Sequence, residues 1–272
     1  MSADNLTLFI AFLSTLHSPG TVRNYISALR SYHVDMGLPV ECFSSLRLRR
    51  MLAGVRRLAG PSSNLRLPIT PAILSAFLRT LNLRSPVDSM FWAACCLAFF
   101  GFLRCSEFTV PSRTAFNPAR HLTLSDILVD SQSSPSILYV RIKASKTDQF
   151  FTGAVIQIGL SGSPVCAVRA VSHYLHLRGS SPGPLFILPD GQPLTRYSLS
   201  TFLRERLRYC GVSGYYAPHS FRIGAATSAA AAGVPDHLIK ALGRWSSDAY
   251  QTYIRLPASR ILGVAPRLVA AS

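Results

Sequence analysis

Lysine and acidic residues are the scarce residue types in this chain. Only Lys143, Lys146 and Lys240 are lysines, and 12 Asp and Glu stand against 28 Lys and Arg, for a formal net charge of +16. So few carboxylates, with no cluster among them, argue against a metal site. The arginine excess favours a polyanionic partner, because the planar guanidinium binds phosphate oxygens bidentately. A basic bias of the source genome would give the same composition.

Cysteine motifs and long apolar runs are also missing. The six cysteines show no CxxC or Cys/His metal spacing, which predicts reduced, buried thiols of an intracellular protein. The longest apolar stretch, residues 91–103, is well short of the ~20 residues that span a bilayer. It therefore predicts a buried core helix, and we expect no membrane partner.

The first sixty residues have the pattern of short helices: LTLFIAFLSTL, TVRNYISALRSYHVDMG and SSLRLRRMLAGVRRL. Thr21 fits an N-cap and Gly37 a helix stop. Residues 1–64 contain seven arginines against three acidic residues, so this part is expected to touch a polyanion. The predicted contacts are Arg23, Arg30, Arg47 and Arg50. The helical pattern begins within a few residues of Met1, which favours a fragment of a longer protein.

A GPSSN cluster at residues 60–64 has the composition of a linker and predicts domains at 1–64 and 65–272. Beyond it, helical patterns run from Pro71, from Val87 through Phe108, and from Pro164. The segment ILYVRIKASKTDQFFTGAVIQIG alternates like two paired strands with a turn at residues 148–153. Further helices are predicted at 199–210, 219–232 and 235–242, and a last one through Tyr253.

Four polar segments interrupt the apolar pattern of the second part. Arg104 follows FFGFL, where it either faces a cleft or forms an ion pair with Glu107 at i+3. Lys143 and Lys146 lie near the predicted strand turn. A lysine there can protonate a leaving oxygen, although a solvated hairpin lysine is the commoner case.

The other two segments are HSFR at residues 219–222 and GRWSSDAYQTYIR at 243–255. His219 and Arg222 are three residues apart at a helix start, so both could reach one phosphate. A capping histidine with a surface arginine is the commoner explanation of such a pair. Tyr250 and Tyr253 would ordinarily be core aromatics.

Together, the order and spacing of these segments resemble the tyrosine recombinase and phage integrase family. GFLRCSEF resembles its first arginine box, HSFR followed by GAATSAAAAGVPDHLIKALGRW its second, and YIRLP its nucleophile segment. The resemblance covers residues 68–256. The segment GRWSSDAYQTYIR resembles the corresponding segment in recombinases of eukaryotic mobile elements, such as DIRS-type retrotransposons or Cryptons. This resemblance implies a nuclear location.

The family resemblance implies a mainly α fold, with an N-terminal helical core-binding domain and an α+β catalytic domain containing a small antiparallel sheet. It assigns Tyr253 as nucleophile, Arg104 and Arg222 as phosphate ligands, and His219 as candidate base. Lys146 would be the acid and Trp245 would fill the His/Trp position. Arg244 is expected to contact DNA.

Three placements stay open at this point. Relatives often have a histidine nine residues before the nucleophile, where this chain has Arg244, while Trp245 stands eight before. Lys143 competes with Lys146, although the SKT context favours Lys146. Tyr250 competes with Tyr253, although the following IRLP favours Tyr253.

The implied reaction joins the 3′-phosphate of a cut strand to tyrosine and needs neither a cofactor nor a metal. The implied partners are double-stranded DNA and further copies of the chain in a synaptic tetramer. The terminal ILGVAPRLVAAS could dock on a neighbouring copy or form a short tail.

Rival interpretations are a non-catalytic DNA-binding protein that retains the fold, a type IB topoisomerase with similar chemistry, and a helical scaffold or RNA-binding protein.

Overall fold

The computed structural model describes residues 2–60, 65–145 and 152–255, and divides the chain into two compact units. Unit 1 is Met1–Leu65 and unit 2 is Arg66–Ser272. Each has its own hydrophobic core. The sequence predicts the boundary between residues 64 and 65, one residue earlier.

Unit 1 is built from three helices that begin at serine caps. The hydroxyls of Ser2, Ser18 and Ser45 each accept a backbone N–H from the first helical turn, which satisfies a group that would otherwise lack a partner. The second cap is therefore Ser18, followed by a proline at the first helical position, and the predicted cap at Thr21 is wrong. The helices are α1 (Ala3–Leu16), α2 (Pro19–Asp35) and α3 (Leu46–Leu58).

Unit 2 contains seven further helices in its described part, most of them entered through Ser, Thr or Pro. They are α4 (Pro71–Arg79), α5 (Pro86–Phe100), α6 (Cys105–Phe108), α7 (Ala167–Arg178), α8 (Arg196–Tyr209), α9 (Ser220–Ala231) and α10 (Asp236–Leu242). The last described element is a 3₁₀ helix, Asp248–Tyr253, at the place of the last predicted helical segment.

A small antiparallel sheet accompanies these helices, with strand order β1 (Ile127–Val129), β2 (Ile137–Ile142), β3 (Ala154–Gly159). The β2 and β3 pairing confirms the predicted hairpin, with Val140 opposite Ile156. The alternation of β2 buries Leu138 and Val140 on the core side, as period-two patterning requires. Strand β1 has only three residues and was not predicted. The predicted turn at 148–153 falls mostly outside the described residues.

Helix α5 is the centre of unit 2 and packs against α7 and α9. Its apolar run is buried from Met90 through Phe99, which confirms the predicted core helix. Helix α9 approaches the chain at Ile69 so closely that a Cβ on Gly224 would lie 1.8 Å from the Ile69 carbonyl oxygen. Only glycine fits there, and this contact places the start of α9 against the segment that follows Arg66.

The predicted helix from Val87 through Phe108 is wrong, because α5 ends at Phe100 and a sharp turn follows. The Leu103 N–H bonds to the Ala98 carbonyl and the Phe102 N–H to the Phe99 carbonyl, the two bonds of a Schellman turn. Phe102 takes the left-handed position of this turn, at φ +50°. The turn redirects the chain so that Arg104 starts the separate helix α6.

The predicted fold class, mainly α with a small antiparallel sheet, is confirmed. Among the described residues, no helix is both long and apolar enough to cross a bilayer.

Candidate active site

A pocket of about 500 Å³ in unit 2 brings together Arg104, His219 and Tyr253, three of the six catalytic residues that the sequence predicts. No acidic side chain is among its described lining residues. A pocket lined by guanidiniums without carboxylates fits a phosphate-bearing ligand. Its basic and titratable lining residues are Arg66, Arg104, Cys105, His121, Arg196, His219 and Tyr253.

Arg104 meets both expectations made for it, since it lines the pocket and pairs with Glu107. Its Nη1 lies 3.0 Å from Glu107 Oε1, and its backbone N–H donates to Glu107 Oε2 at 2.8 Å. The Glu107 side chain is fully buried, while 17% of the Arg104 side chain is exposed. The buried carboxylate therefore fixes the guanidinium at the pocket wall.

Arg244 shares the same carboxylate. Its Nη2 donates to Glu107 Oε2 at 2.7 Å, and its side chain is only 17% exposed. Glu107 is thus flanked by two arginines, which offsets the cost of burying its charge. Arg244 points inward in this arrangement, so the geometry favours a positioning role over the predicted DNA contact.

Arg222 is a buried arginine that joins two turns. Its guanidinium donates to the carbonyls of Phe102 and Gly243, and the residue is only 1% exposed. The Phe102 carbonyl belongs to the turn after α5, which leads into Arg104. The Gly243 carbonyl belongs to the turn after α10, which leads into Arg244 and Trp245. Of the two arginines predicted to bind phosphate, Arg104 lines the pocket, while Arg222 is buried and is not among the described lining residues.

Both of these turns hold a residue other than glycine in the left-handed region. Gly37 and Gly233 lie two residues beyond the last residues of α2 and α9, with φ of +64° and +80°, which confirms the predicted helix stop at Gly37. The corresponding residues after α5 and α10 are Phe102 and Arg244, at φ +50° and +54°. A side chain in this region costs about 1 kcal/mol or more, and such strain is typical of functional sites.

Trp245 covers the second turn and stacks on Arg222. The Arg222 Cζ lies 4.2 Å from the indole ring centroid, a cation–π distance. A Cβ on Gly243 would overlap the Trp245 ring at 1.6 Å, so the glycine makes room for the indole. The Trp245 and Tyr253 ring centroids are 5.3 Å apart.

His219 and Tyr253 face each other inside the pocket. Their ring centroids are 5.1 Å apart, with the planes at 62°. His219 starts α9, and Tyr253 ends the 3₁₀ helix. The Thr227 hydroxyl of α9 donates to the Tyr253 carbonyl at 3.1 Å, so α9 orients both residues.

Tyr250 is excluded from the pocket. It is 4% exposed, and its hydroxyl donates to Asp236 Oδ2 at 3.1 Å. Tyr253, which is partly buried, lines the pocket. Of the two tyrosines, only Tyr253 is placed where it could reach a bound phosphate.

The His219 imidazole is neutral at physiological pH. Burial lowers its pKa to about 4, and the nearby arginines add to the effect, Arg222 most and then Arg66, Arg104 and Arg196. The same environment lowers the pKa of the Arg222 guanidinium to about 10, mainly through burial and then through Arg104. An arriving phosphodiester would offset this positive field.

Of the two hairpin lysines, the structure describes Lys143. Lys143 is fixed by Asp126, whose Oδ2 lies 2.6 Å from Nζ, and it also donates to the Pro118 carbonyl. Its ammonium group is therefore held by an ion pair and by hydrogen bonds to the Pro118 carbonyl and the Thr123 hydroxyl. Lys146 lies outside the described residues, and its predicted role stays a prediction.

In unit 1 the four predicted DNA contacts, Arg23, Arg30, Arg47 and Arg50, are all exposed. Arg47 pairs with Asp4 at 2.5 Å across the surface. Their contact with DNA is untested.

Sequence reasoning missed Arg66, His121 and Arg196, which all line the pocket. None stands in a segment that interrupts the apolar pattern, and each comes from a loop or helix start far from the four segments in sequence. No local signal marks them. Glu107 was named only as an ion-pair partner of Arg104, yet it also binds Arg244.

No protein-family model matches the sequence, and no curated protein matches it. Solved structures do match. XerH site-specific recombinase, crystallised with palindromic difH substrate as a post-cleavage complex, aligns over 97% of this chain and 72% of its own at TM-score 0.66 and 15% identity. The fold is that of the tyrosine recombinases.

Two further matches agree with this fold. XerA recombinase aligns over 97% of this chain and 89% of its own, with TM-score 0.55 and 16% identity. The Tn1549 transposon integrase, in complex with circular intermediate DNA, aligns over 94% and 82%, with TM-score 0.57 and 15% identity. At these low identities the structural alignments show a shared fold and no more, and the predicted likeness to DIRS-type or Crypton recombinases stays a prediction.

Proposed function

We propose that this chain is a site-specific DNA recombinase that cuts and rejoins strands through a 3′-phosphotyrosyl intermediate on Tyr253. The observation that carries the proposal is the approach of His219 and Tyr253 in a pocket that contains arginines and no acidic side chain among its described lining residues. The tyrosine recombinase fold supports it, since the compared recombinases and integrases share that architecture.

The proposed attack places new negative charge on the non-bridging oxygens of the scissile phosphate. Arg104, fixed by Glu107, is available at the pocket wall to stabilise that charge. His219 is neutral and can accept the phenolic proton as Tyr253 attacks, since the phosphate's charge raises its basicity. Lys146 is the proposed acid for the departing 5′-oxygen.

Arg222 has two roles in this proposal. Its hydrogen bonds to the Phe102 and Gly243 carbonyls stabilise the two turns that position Arg104 and Trp245. A guanidinium has five N–H donors, so those two bonds leave others for the phosphate once DNA binds. Trp245 supports it from the other side by stacking.

Double-stranded DNA is the proposed partner, and the exposed arginines of unit 1 are the proposed contacts outside the pocket. We further propose that the chain acts as a homo-oligomer on DNA, as a synaptic tetramer. If the likeness to eukaryotic mobile elements is correct, the chain works in the nucleus. No cofactor is part of the proposed reaction.

A trapping assay tests the proposal. The protein is incubated with nicked duplexes from the DNA that flanks its own gene, in EDTA, and covalent adducts are sought on denaturing gels. A nick just downstream of the cut site lets the short fragment that carries the new 5′-hydroxyl diffuse away, so the adduct accumulates. We expect an adduct with the wild type and with Tyr250→Phe, and none with Tyr253→Phe.

Two outcomes would favour a rival. Binding without an adduct from any of these duplexes would indicate a non-catalytic DNA-binding protein. Relaxation of supercoiled plasmid with no dependence on sequence would indicate a type IB topoisomerase.

A further inference from the structure

Arg66 and Arg196 are pocket residues that the proposed chemistry does not use. Both line the pocket, both are exposed, and within residues 2–60, 65–145 and 152–255 neither forms an ion pair. By contrast, Arg104 in the same pocket is held by Glu107. Two uncompensated guanidiniums in one pocket repel each other unless an anion lies between them.

The two arginines are fixed by different backbone segments. The residue after Arg66, Leu67, donates its N–H to the Tyr215 carbonyl, which holds this segment beside the chain leading into His219. Arg196 donates its own N–H to the Val110 carbonyl, beside the segment that begins at Arg104. The positions of both arginines in the wall are therefore set by unit 2 itself.

The pocket is larger than one phosphodiester needs. A volume of about 500 Å³ is typical of sites for whole drug-sized ligands. One phosphate has two non-bridging oxygens, and the proposed reaction already assigns them to Arg104 and Arg222. A DNA strand brings a further phosphate about every 3.4 Å of helix axis, so neighbouring phosphates arrive with the scissile one.

We propose that Arg66 and Arg196 bind the phosphates that flank the scissile phosphate, and that they thereby set the position of the strand relative to Tyr253. This inference rests on the proposed function, since it presumes that DNA enters the pocket. Both arginines also contribute to the low pKa of His219, which places their charges within electrostatic reach of the reacting groups.

The test neutralises one phosphate at a time. In a duplex that carries the mapped cleavage site, methylphosphonates replace the phosphates on either side of the scissile one, and affinity is measured with Tyr253→Phe protein. We expect about a tenfold loss at each contacted position, the size of a charge-assisted hydrogen bond. Arg66→Ala should abolish that sensitivity at one position and Arg196→Ala at another.

Arg204→Ala is the matched control, because Arg204 is exposed on the same helix as Arg196 but does not line the pocket. It should keep full sensitivity at every position. The inference is overturned if Arg66→Ala and Arg196→Ala also keep full sensitivity.

A separate outcome would identify failure of the proposed function itself. If the wild type forms no adduct, no cleavage site exists to modify, and the salt dependence of affinity for any bound duplex is measured instead. Each lost phosphate contact lowers the slope of log K against log salt by about one. An unchanged slope in both arginine variants would overturn the inference independently of the chemistry.

Discussion

Arg244 Nη2 lies 2.7 Å from Glu107 Oε2, and the same carboxylate binds Arg104. The sequence separates Arg244 and Glu107 by 137 residues, yet this contact joins the turn after α10 to helix α6. Arg244 was predicted to bind DNA. In this structure its guanidinium binds the carboxylate that also holds Arg104, and its contact with DNA stays a prediction.

Arg244→Ala should lower the free energy of unfolding by about 2 kcal/mol, because it leaves the buried Glu107 with one arginine in place of two. Urea unfolding measures this. Arg113→Ala is the control, since Arg113 pairs with Asp190 at the surface and should cost under about 0.5 kcal/mol. Equal losses in the two variants would show that the Glu107 contact contributes no more than a surface pair.

Thr227→Val should slow adduct formation about tenfold, equivalent to ~1.4 kcal/mol in the barrier, with little change in DNA affinity. The Thr227 hydroxyl donates to the Tyr253 carbonyl and accepts the Arg255 N–H, each at 3.1 Å, so its loss frees the nucleophile segment. The readout is the single-turnover rate of adduct formation beside the dissociation constant.

Thr227→Ser restores the hydroxyl and should restore the rate. A Thr227→Ser protein as slow as Thr227→Val would assign the effect to packing and not to the two hydrogen bonds.

His219 should make the folded state less stable in mild acid. Its folded pKa of about 4 lies below the ordinary 6.5, so the unfolded chain takes up a proton that the folded chain refuses. The free energy of unfolding therefore rises with pH between about 4 and 6.5 through this group, and is constant above it.

Urea unfolding at pH 7.5 and pH 5 measures this effect. His219→Asn should lose less stability on acidification than the wild type, while His237→Asn, at an exposed position, should behave like the wild type. A His219→Asn protein with the wild-type pH dependence would show that the imidazole is not shielded from protonation.

The two hairpin lysines should separate into a structural and a chemical role. Lys143→Met leaves the buried Asp126 carboxylate unpaired and should cost about 3 kcal/mol of stability. Lys146→Met should instead slow cleavage, because the departing 5′-oxygen then lacks its proton donor.

A duplex with a 5′-bridging sulfur at the cut site distinguishes these roles. A thiolate leaves without a proton, since thiols have a pKa near ~8.5, so cleavage by Lys146→Met should recover. Cleavage that stays slow on the sulfur substrate would refute the role of Lys146 as acid.

The helices and the hairpin could be predicted from the sequence because periodicity and caps are local signals. The turn at Phe102 could not, since a glycine stands one residue earlier and nothing local shows that a phenylalanine takes the left-handed position. The burial of Arg222 and the pairing of Arg244 depend on contacts more than 100 residues apart. The pocket positions of Arg66 and Arg196 likewise could not be predicted, because they depend on contacts between segments that are distant in sequence.

The most direct test of the central claim is the chemical identity of the trapped adduct. Protease digestion of the protein–DNA adduct, followed by mass spectrometry, locates the residue and the strand end. The account predicts one peptide, modified on Tyr253 through the 3′-phosphate of the cut strand. Attachment to Tyr250, to a serine or to a 5′-phosphate would contradict it.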